Sequence, residues 1–171
     1  MFYSVLSDNM DGYHPRQSRK EITWEDEMTE LILGQKHLTM ALCKDNMPYI
    51  STVNYYYDPA GRFFYFHCSP EGKKIDILKV NPVVWGQVME DLGYIQGECD
   101  HAYRTVQFKG RVEIVGSKKE KISALTLMMD RLENDPADDR KRGIKNRDLA
   151  KVAIGKIHIE GMSGKVNPSR K

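Results

Sequence analysis

Short apolar segments separated by turn-forming residues fill most of this chain, and they constrain its fold more than any other feature. Strand patterns occupy residues 38–43, 49–57, 62–67, 83–90, 103–115 and 152–162. The first three are joined by segments rich in turn formers, Lys-Asp-Asn at 44–46 and Asp-Pro-Ala-Gly at 58–61. We therefore expect the first three to be consecutive antiparallel strands.

Helical patterns are fewer than strand patterns. Residues 23–26 (Thr-Trp-Glu-Asp) resemble a capping box, residues 117–120 (Ser-Lys-Lys-Glu) form a complete one, and apolar stripes follow both. A short helix is predicted at 75–80, a loop at 93–100, and a bend or close backbone approach at Gly110. The fold class predicted is mainly β, a small antiparallel barrel with flanking helices.

Composition indicates an ordinary globular domain with no polyanion-binding character. The chain has 171 residues, 40% of them apolar, and a formal net charge of +2. Three widely spaced cysteines suggest a reducing compartment, and no apolar run reaches the roughly 20 residues of a membrane span. The histidines form no metal-ligand set. We expect a cytoplasmic protein without a metal, a membrane anchor or a nucleic-acid partner.

The chain is interpreted as one domain over residues 1–171. Residues 1–20 are predicted to form an extended N-terminal arm, and residues 133–148 a charged surface excursion. The excursion contains a basic cluster at 140–147, but aspartates lie beside the cluster and no aromatic residues interleave. A solvated loop is therefore favoured over a nucleic-acid patch.

Residues 67–74, His-Cys-Ser-Pro-Glu-Gly-Lys-Lys, are the best candidate for a binding site. If Gly72 opens a helix, the first-turn N–H groups and the helix dipole add to the charges of Lys73 and Lys74. That combination suits an anion such as a phosphate, although a solvated surface turn has the same composition. His67 could hydrogen-bond a cofactor or substrate, or could be a structural histidine bonded to backbone.

Four motifs occur in an order that resembles a known family. They lie at residues 16–22, at 48–55 (Pro-Tyr-Ile-Ser-Thr-Val-Asn-Tyr), at 64–74, and at 103–110 (Tyr-Arg-Thr-Val-Gln-Phe-Lys-Gly). The chain resembles the pyridoxamine 5'-phosphate oxidase-related FMN-binding split-barrel proteins, and within them the nitroimidazole-resistance-type branch. The resemblance extends from about residue 16 to residue 165.

This resemblance implies a split β-barrel homodimer with FMN bound at the subunit interface. Lys73 and Lys74 match the basic pair that holds the FMN phosphate, and Thr105 matches a position that faces the cofactor. His67 matches a strand-end histidine implicated in the flavin chemistry, which makes it the candidate catalytic residue. The other cofactor-binding residues implied are those of a strand along the flavin ring and of the phosphate turn: Ser51, Thr52, Val53, Asn54, Cys68, Ser69 and Gly72.

Two departures from the family pattern affect the expected substrate. Pyridoxamine-phosphate oxidases proper carry an arginine and a lysine on the strand that includes residues 51–56, and a basic C-terminal motif that is missing around residues 161–165. Oxidation of pyridoxamine phosphate is therefore not expected. Met162 also stands where relatives often place a tryptophan.

The function predicted is that of an FMN-dependent oxidoreductase. It would pass electrons from a reduced nicotinamide or another donor to a small acceptor such as a nitroaromatic, with the cofactor supplying the redox chemistry. One alternative is a non-catalytic protein that binds flavin, deazaflavin or haem for storage or sensing. The other is a structural dimer without a cofactor.

Overall fold

The computed structural model describes residues 17–134 and 149–168, and within them the chain is mainly antiparallel β-sheet. In these described residues three α-helices flank the sheet: α1 (Glu25–Gly34), α2 (Lys73–Val80) and α3 (Lys118–Leu132). The strands are β1 (Glu21–Ile22), β2 (His37–Lys44), β3 (Met47–Asn54), β4 (Tyr56–Asp58), β5 (Phe63–Cys68), β6 (Val83–Ile95), β7 (Asp100–Ile114) and β8 (Ala153–Asn167).

The strand order shows that the sheet curls into a barrel. The order is β3-β2-β6-β7-β8-β5-β4, with β1 added to β8, so β3 and β4 lie at opposite edges. Only Tyr55 separates these two strands in the chain. Because neighbouring Cα atoms are about 3.8 Å apart, the two edges come within about 8 Å of each other there. Within the described residues β3 pairs with β2 alone, which leaves the barrel split and confirms the predicted fold class.

The single strand predicted at 49–57 is wrong, and so is the prediction of three consecutive antiparallel strands. β3 pairs with β2, whereas β4 pairs with β5 at the other edge of the sheet. The break falls at Tyr55, whose side chain is fully buried and donates a hydrogen bond to the main-chain carbonyl of Ile32 in α1. A tertiary contact therefore ends a run of aromatic residues that looks continuous in the sequence.

Arg131 of α3 completes the packing at this crossing point. Its guanidinium lies 4.9 Å from the centroid of the Tyr55 ring and donates hydrogen bonds to the carbonyls of Ile32, Leu33 and Gln35. At the C-terminal end of α1 only the Ile32 carbonyl accepts the main-chain N–H of the C-cap residue Gln35, so the arginine adds a side-chain cap to the last carbonyls of the helix. Two helices and the strand crossing are thus joined at one place.

The helix starts differ in how well the sequence predicted them. The prediction of a capping box at residues 23–26 is wrong. The N-cap of α1 is Trp24, one residue later than predicted, and no side chain caps this helix start. The box at residues 117–120 is confirmed on its N-cap side, where Ser117 Oγ accepts a hydrogen bond from Glu120 N–H at 3.4 Å. The Glu120 carboxylate turns instead toward the barrel.

The hairpin of β6 and β7 is longer than predicted. The loop expected at 93–100 is confined to residues 96–99, since β6 continues to Ile95 and β7 starts at Asp100, with an irregular register between Asp91 and Tyr94. The close approach predicted at Gly110 is confirmed. A bulge interrupts the β7–β8 register there, and an added Cβ would lie 2.6 Å from the carbonyl oxygen of His158.

Large apolar side chains fill the interior of the barrel. Phe64 and Phe108 stack with ring centroids 4.7 Å apart, and both are fully buried. Other members of this core are Leu38, Met40, Phe66, Val88, Val106 and Ile157. A barrel filled in this way has no room for a cofactor, so a ligand must bind on its outside.

Two predictions on chain organisation fall largely outside the described residues. Of the predicted arm at 1–20, the structure describes residues 17–20, which contain a short 3-10 helix at Ser18–Lys20. Of the predicted excursion at 133–148, it describes only residues 133 and 134. Among the described helices, none has the length and apolar character that crossing a membrane would require.

The Glu120 carboxylate ties α3 to the barrel. It accepts a hydrogen bond from the Tyr65 hydroxyl at 2.7 Å and forms an ion pair with Lys156 Nζ at 3.2 Å. The Tyr65 hydrogen bond, followed by the bond to Lys156, lowers the pKa of Glu120 below its ordinary value. The contact therefore favours the ionised carboxylate.

We predict that Glu120→Gln destabilises the protein in a pH-dependent way. A lowered pKa in the folded state stabilises the fold above the unfolded-state pKa of about 4.3, and this contribution disappears as the pH falls through the folded-state pKa. At pH 7 the loss should be on the order of 1 kcal/mol, because solvent screens a partly exposed carboxylate. Urea denaturation between pH 7 and pH 3 measures it, with Glu133→Gln at the end of the same helix as control. A Glu120→Gln effect that does not change with pH would contradict this account.

Candidate functional site

The turn before α2 leaves the start of that helix open to a ligand. Gly72 is its N-cap, with a φ of 117° that disfavours other residues, and an added Cβ would meet nothing within 4 Å. No described side chain caps this helix. The first-turn N–H groups have no acceptor inside the helix, so an anion could approach them directly.

Two ammonium groups lie beside this helix start. Lys73 Nζ is 4.8 Å from the centroid of the Tyr49 ring, and Lys74 Nζ is 5.5 Å from that of the Phe66 ring. Both distances fit cation–π contacts, which hold the ammonium groups without neutralising them. Within the described part of the chain, neither lysine is in an ion pair with a carboxylate. Their positive charge is therefore available to an anionic ligand.

The residues that lead into the turn have distinct environments. Ser69 Oγ accepts a hydrogen bond from Glu71 N–H at 3.3 Å, which shapes the turn. Cys68 is half-buried against the core, and burial raises the pKa of its thiol although Lys74 opposes this. A thiol with a raised pKa stays protonated near neutral pH, so Cys68 is a poor nucleophile. His67 is exposed at the end of β5.

Strand β3 runs next to the turn, because Lys73 reaches the ring of Tyr49. The alternation along β3 directs Ser51 and Val53 to one face and Thr52 and Asn54 to the other, with Val53 in the core. On the outer face Thr52 Oγ1 lies 3.1 Å from Thr39 Oγ1, and Asn54 Nδ2 donates to the Lys36 carbonyl at 3.1 Å.

The free edge of β3 offers main-chain groups to a ligand. β3 pairs with β2 alone among the described strands, so half of its N–H and C=O groups point away from the sheet. A planar heterocycle lying along this edge could exchange hydrogen bonds with such groups. The candidate ring-binding strand and the candidate phosphate turn are thus neighbours in one chain.

Thr105 lies apart from these residues. It is on β7, and β2 and β6 lie between β7 and β3, so three strand spacings of about 4.8 Å separate the two strands. Its hydroxyl donates to the Val88 carbonyl at 3.1 Å, and the residue is buried. Along β8, Thr105 lies opposite Lys165 whereas Cys68 lies opposite Ala153, so a single chain does not bring Thr105 to the turn either.

An exposed apolar patch on the outer face of the sheet was not predicted. Ile50 of β3, Ala41 of β2 and Trp85 of β6 lie side by side in register. Met89 lies four residues after Trp85 on β6 and therefore on the same face of the sheet. Ile50 is 68% exposed, Trp85 39% and Met89 45%. The sequence feature that could have predicted this patch is the alternation along β6, where Val84 and Val88 belong to the core and Trp85 and Met89 face the other way.

A cavity of about 430 Å³ beside Lys73 was also not predicted. It lies between the β2–β3 turn, where Asp45 and Asn46 adopt left-handed backbone angles, and one face of α2. Its lining residues are Lys44, Asp45, Met47, Pro48, Lys73, Asp76 and Ile77. Lys73, Asp76 and Ile77 are spaced at i, i+3 and i+4, so the sequence alone shows that they share one face of α2. Only the fold shows that the β2–β3 turn lies opposite this face.

Comparisons with known structures agree on the fold. A candidate 5-nitroimidazole antibiotic resistance protein from Bacteroides thetaiotaomicron is 25% identical, with a TM-score of 0.67 over 85% of this chain and 86% of that one. An FAD-binding protein from Mesorhizobium loti is 24% identical, with a TM-score of 0.60 over 84% and 94%. A flavocytochrome from Azotobacter vinelandii is 16% identical, with a TM-score of 0.79 over 95% and 77%.

Sequence comparison assigns the family. No curated protein matches the chain at a significant level. The profile of the pyridoxamine 5'-phosphate oxidase family, in contrast, matches residues 25–166, which include β2 to α3 and almost all of β8. The resemblance inferred from the motifs is confirmed, and the chain belongs to the pyridoxamine 5'-phosphate oxidase family.

Proposed function

We propose that this protein is a flavin-dependent oxidoreductase that binds its cofactor through the FMN moiety. One observation carries the proposal: an uncapped helix start at Gly72, with two ammonium groups beside it, adjoins the free edge of a strand. The flavin-binding proteins among the structural relatives, an FAD-binding protein and a flavocytochrome, support it. FMN itself, the cofactor expected from the sequence, is the smallest flavin that carries both a phosphate for the helix start and a ring for the strand edge.

The phosphate of the flavin would bind at the start of α2. Lys73 and Lys74 supply two positive charges, and the first-turn N–H groups supply oriented donors. The open space at Gly72 lets a phosphate oxygen approach the backbone without meeting a side chain. Ser69 and the main chain of Cys68 would complete the turn around it.

The ring of the flavin would lie along β3. The main-chain groups of residues 51–54 at the free strand edge provide both donors and acceptors for a pyrimidine edge. Thr52 and Asn54 are small polar residues that leave room for a planar ring, whereas Ser51 and Val53 face the barrel.

A bound flavin would supply the redox chemistry, accepting electrons from a reduced nicotinamide or another donor and passing them to a small acceptor such as a nitroaromatic. The exposed imidazole of His67, at the end of β5 and two residues before Ser69, could hold or donate a proton at this site. His67 is therefore our candidate for the catalytic side chain.

We also propose that two copies of the chain assemble through the outer face of the sheet. The exposed apolar patch of Ile50, Trp85 and Met89 continues directly from the proposed ring-binding strand. An apolar sheet face of this kind is typical of an interface rather than of a free surface. Because Thr105 is on this sheet but distant from β3, a contact of Thr105 with the cofactor would be made by the partner subunit.

The test of function is an absorbance spectrum followed by reduction. We expect purified protein saturated with flavin to show a bound-flavin spectrum that bleaches with reduced nicotinamide and recovers when a nitroaromatic acceptor is added. A flavin that binds but cycles no faster than free flavin would favour storage or sensing. A Soret band would favour haem, and absence of any bound chromophore would favour a structural dimer.

His67→Ala serves as the variant for this assay. It should retain bound flavin, because the residue is not among the phosphate contacts, but should change the rate of flavin reduction or reoxidation. Rates equal to those of the unmodified protein would reduce His67 to a structural role.

Removal of both lysines at the turn should release the flavin. Each charge-assisted hydrogen bond contributes about 1.5–3 kcal/mol, so Lys73→Ala with Lys74→Ala should weaken flavin binding roughly 100-fold or more. Fluorescence titration with FMN measures this dissociation constant. Lys79→Ala, in the last turn of the same helix, removes a charge remote from the site and is the control. An unchanged dissociation constant in the double variant would count against the phosphate assignment.

Trp85→Glu should disrupt the dimer. A charge at the centre of the apolar patch would have to be buried in the proposed interface, at a large cost in free energy. Light scattering should give twice the 19.7 kDa chain mass for the unmodified protein and a lower mass for the variant. Trp24→Glu, at an exposed tryptophan in α1's N-cap position, is the matched control and should remain dimeric. A monomeric unmodified protein would refute the proposed assembly.

A further inference from the structure

The outer face of the sheet arranges its side chains in rows that cross four strands. Strands β3, β2, β6 and β7 are neighbours in that order, and their pairing fixes which residues lie opposite one another. The neighbouring positions on each strand belong to the core, so both rows described here face outward. The first row consists of Ile50, Ala41, Trp85 and Lys109, and the second row of Thr52, Thr39, Gln87 and Gln107.

The dimer proposed above limits how two such faces meet. In a symmetric dimer the same patch of both copies comes together about a two-fold axis, which lies between the two sheets. In the aligned mode of sheet packing, strand directions stay within about 30° of each other, so the axis runs either along the rows or along the strands. An axis along the rows places β3 on the partner's β3. An axis along the strands between β2 and β6 places β3 on the partner's β7.

The axis along the strands between β2 and β6 suits the site and the first row best. With the axis along the rows, the ring-binding segments of two β3 strands would face each other, and two flavin rings would compete for one space. With the axis between β2 and β6, the partly exposed Trp85 faces the partner's Ala41, whose small side chain leaves room for an indole. An axis along β6 itself would instead set the two Trp85 side chains against each other.

The second row has a role in the same arrangement. Its inner pair, Thr39 and the partner's Gln87, would close the interface with a hydrogen bond, because hydroxyl and carboxamide groups both donate and accept. Its outer pair, Thr52 and the partner's Gln107, would enclose the space in which the flavin ring is proposed to lie. The ring would then have β3 on one side and the partner's β7 on the other.

We propose that the two-fold axis runs along the strands between β2 and β6, and that Gln107 and Lys109 of each subunit complete the flavin site of the other. This inference rests on the proposed function, because it takes the flavin phosphate to be at the start of α2 and the ring to be on β3. The site is then incomplete in a single chain.

The two residues contribute different contacts. Gln107 is exposed, and its carboxamide has both a donor and an acceptor for the polar edge of a ring lying on Thr52 of the partner subunit. Lys109 faces the partner's Ile50, whose apolar side chain its aliphatic stem can cover. Its ammonium group can then reach the phosphate end of the flavin, because Tyr49, next to Ile50, contacts Lys73.

Removal of the Lys109 ammonium should weaken flavin binding. We expect Lys109→Ala to raise the dissociation constant for FMN about tenfold or more, the effect of one charge-assisted contact, and Lys109→Arg to restore most of the affinity. Lys118→Ala removes an exposed lysine at the start of α3, which contacts β4, β5 and β8 instead of the proposed interface, and is the control. Fluorescence titration of the full chain with FMN measures these constants. An unchanged constant in Lys109→Ala would overturn the assignment.

Mixed dimers show whether the contact crosses the interface. One chain carries Lys73→Ala with Lys74→Ala, the other carries Lys109→Ala, and different affinity tags allow the mixed dimer to be purified. If Lys109 acts across the interface, one site of the mixed dimer has all three lysines and the other has none. One flavin per dimer should then bind with the affinity of the unmodified protein. Weak binding at both sites would show that Lys109 acts within its own chain and would overturn the proposal.

Cysteine crosslinking tests the position of the axis without a flavin. Facing sheets lie about 10 Å apart, within reach of a short bismaleimide. When chains with Thr52→Cys are mixed with chains with Gln107→Cys, mass spectrometry should find peptides linked between positions 52 and 107, distinct from products of the native cysteines. Chains with Thr52→Cys alone that link position 52 to position 52 would indicate an axis along the rows and would overturn the proposal. Failure of the unmodified protein to bind flavin would instead refute the proposed function.

Discussion

The crossing of the chain at Tyr55 is the constraint on which the rest of the structure depends. One residue links strands at opposite edges of the sheet, so the sheet has to curl, and the buried Tyr55 side chain is fixed by α1 and by Arg131. Curling encloses a core filled by phenylalanine rings. A filled barrel cannot hold a cofactor inside, so the proposed cofactor would have to bind at its surface.

The same crossing prepares the surface that the proposed cofactor would use. β3 ends at the crossing without a second strand partner in the described residues, so its main-chain groups stay free along one edge. β5, which pairs with the other edge strand β4, leads into the turn that begins α2, where Gly72, Lys73 and Lys74 form an uncapped and positively charged helix start. One topological feature thus supplies both a strand edge for a ring and a turn for a phosphate.

The sequence predicted those features that arise from local chemistry. The barrel class, the turn at Gly72, the close approach at Gly110 and the family could all be inferred from turn residues, strand alternation and motif order. The end of β3 could not, because Tyr55 is one of three consecutive tyrosines and only its contact with α1 distinguishes it. The cavity and the apolar patch also depend on elements far apart in sequence, as does the separation of Thr105 from the turn.

The start of α2 is the proposed binding site for the phosphate of a flavin. The most direct measurement is a crystal structure of the protein with bound flavin. We expect the FMN-moiety phosphorus to lie within about 4 Å of the Lys73 or Lys74 ammonium nitrogen, with a phosphate oxygen accepting a first-turn N–H of α2. A flavin whose phosphate lies away from this turn, with both lysines in contact only with solvent or with Tyr49 and Phe66, would contradict it.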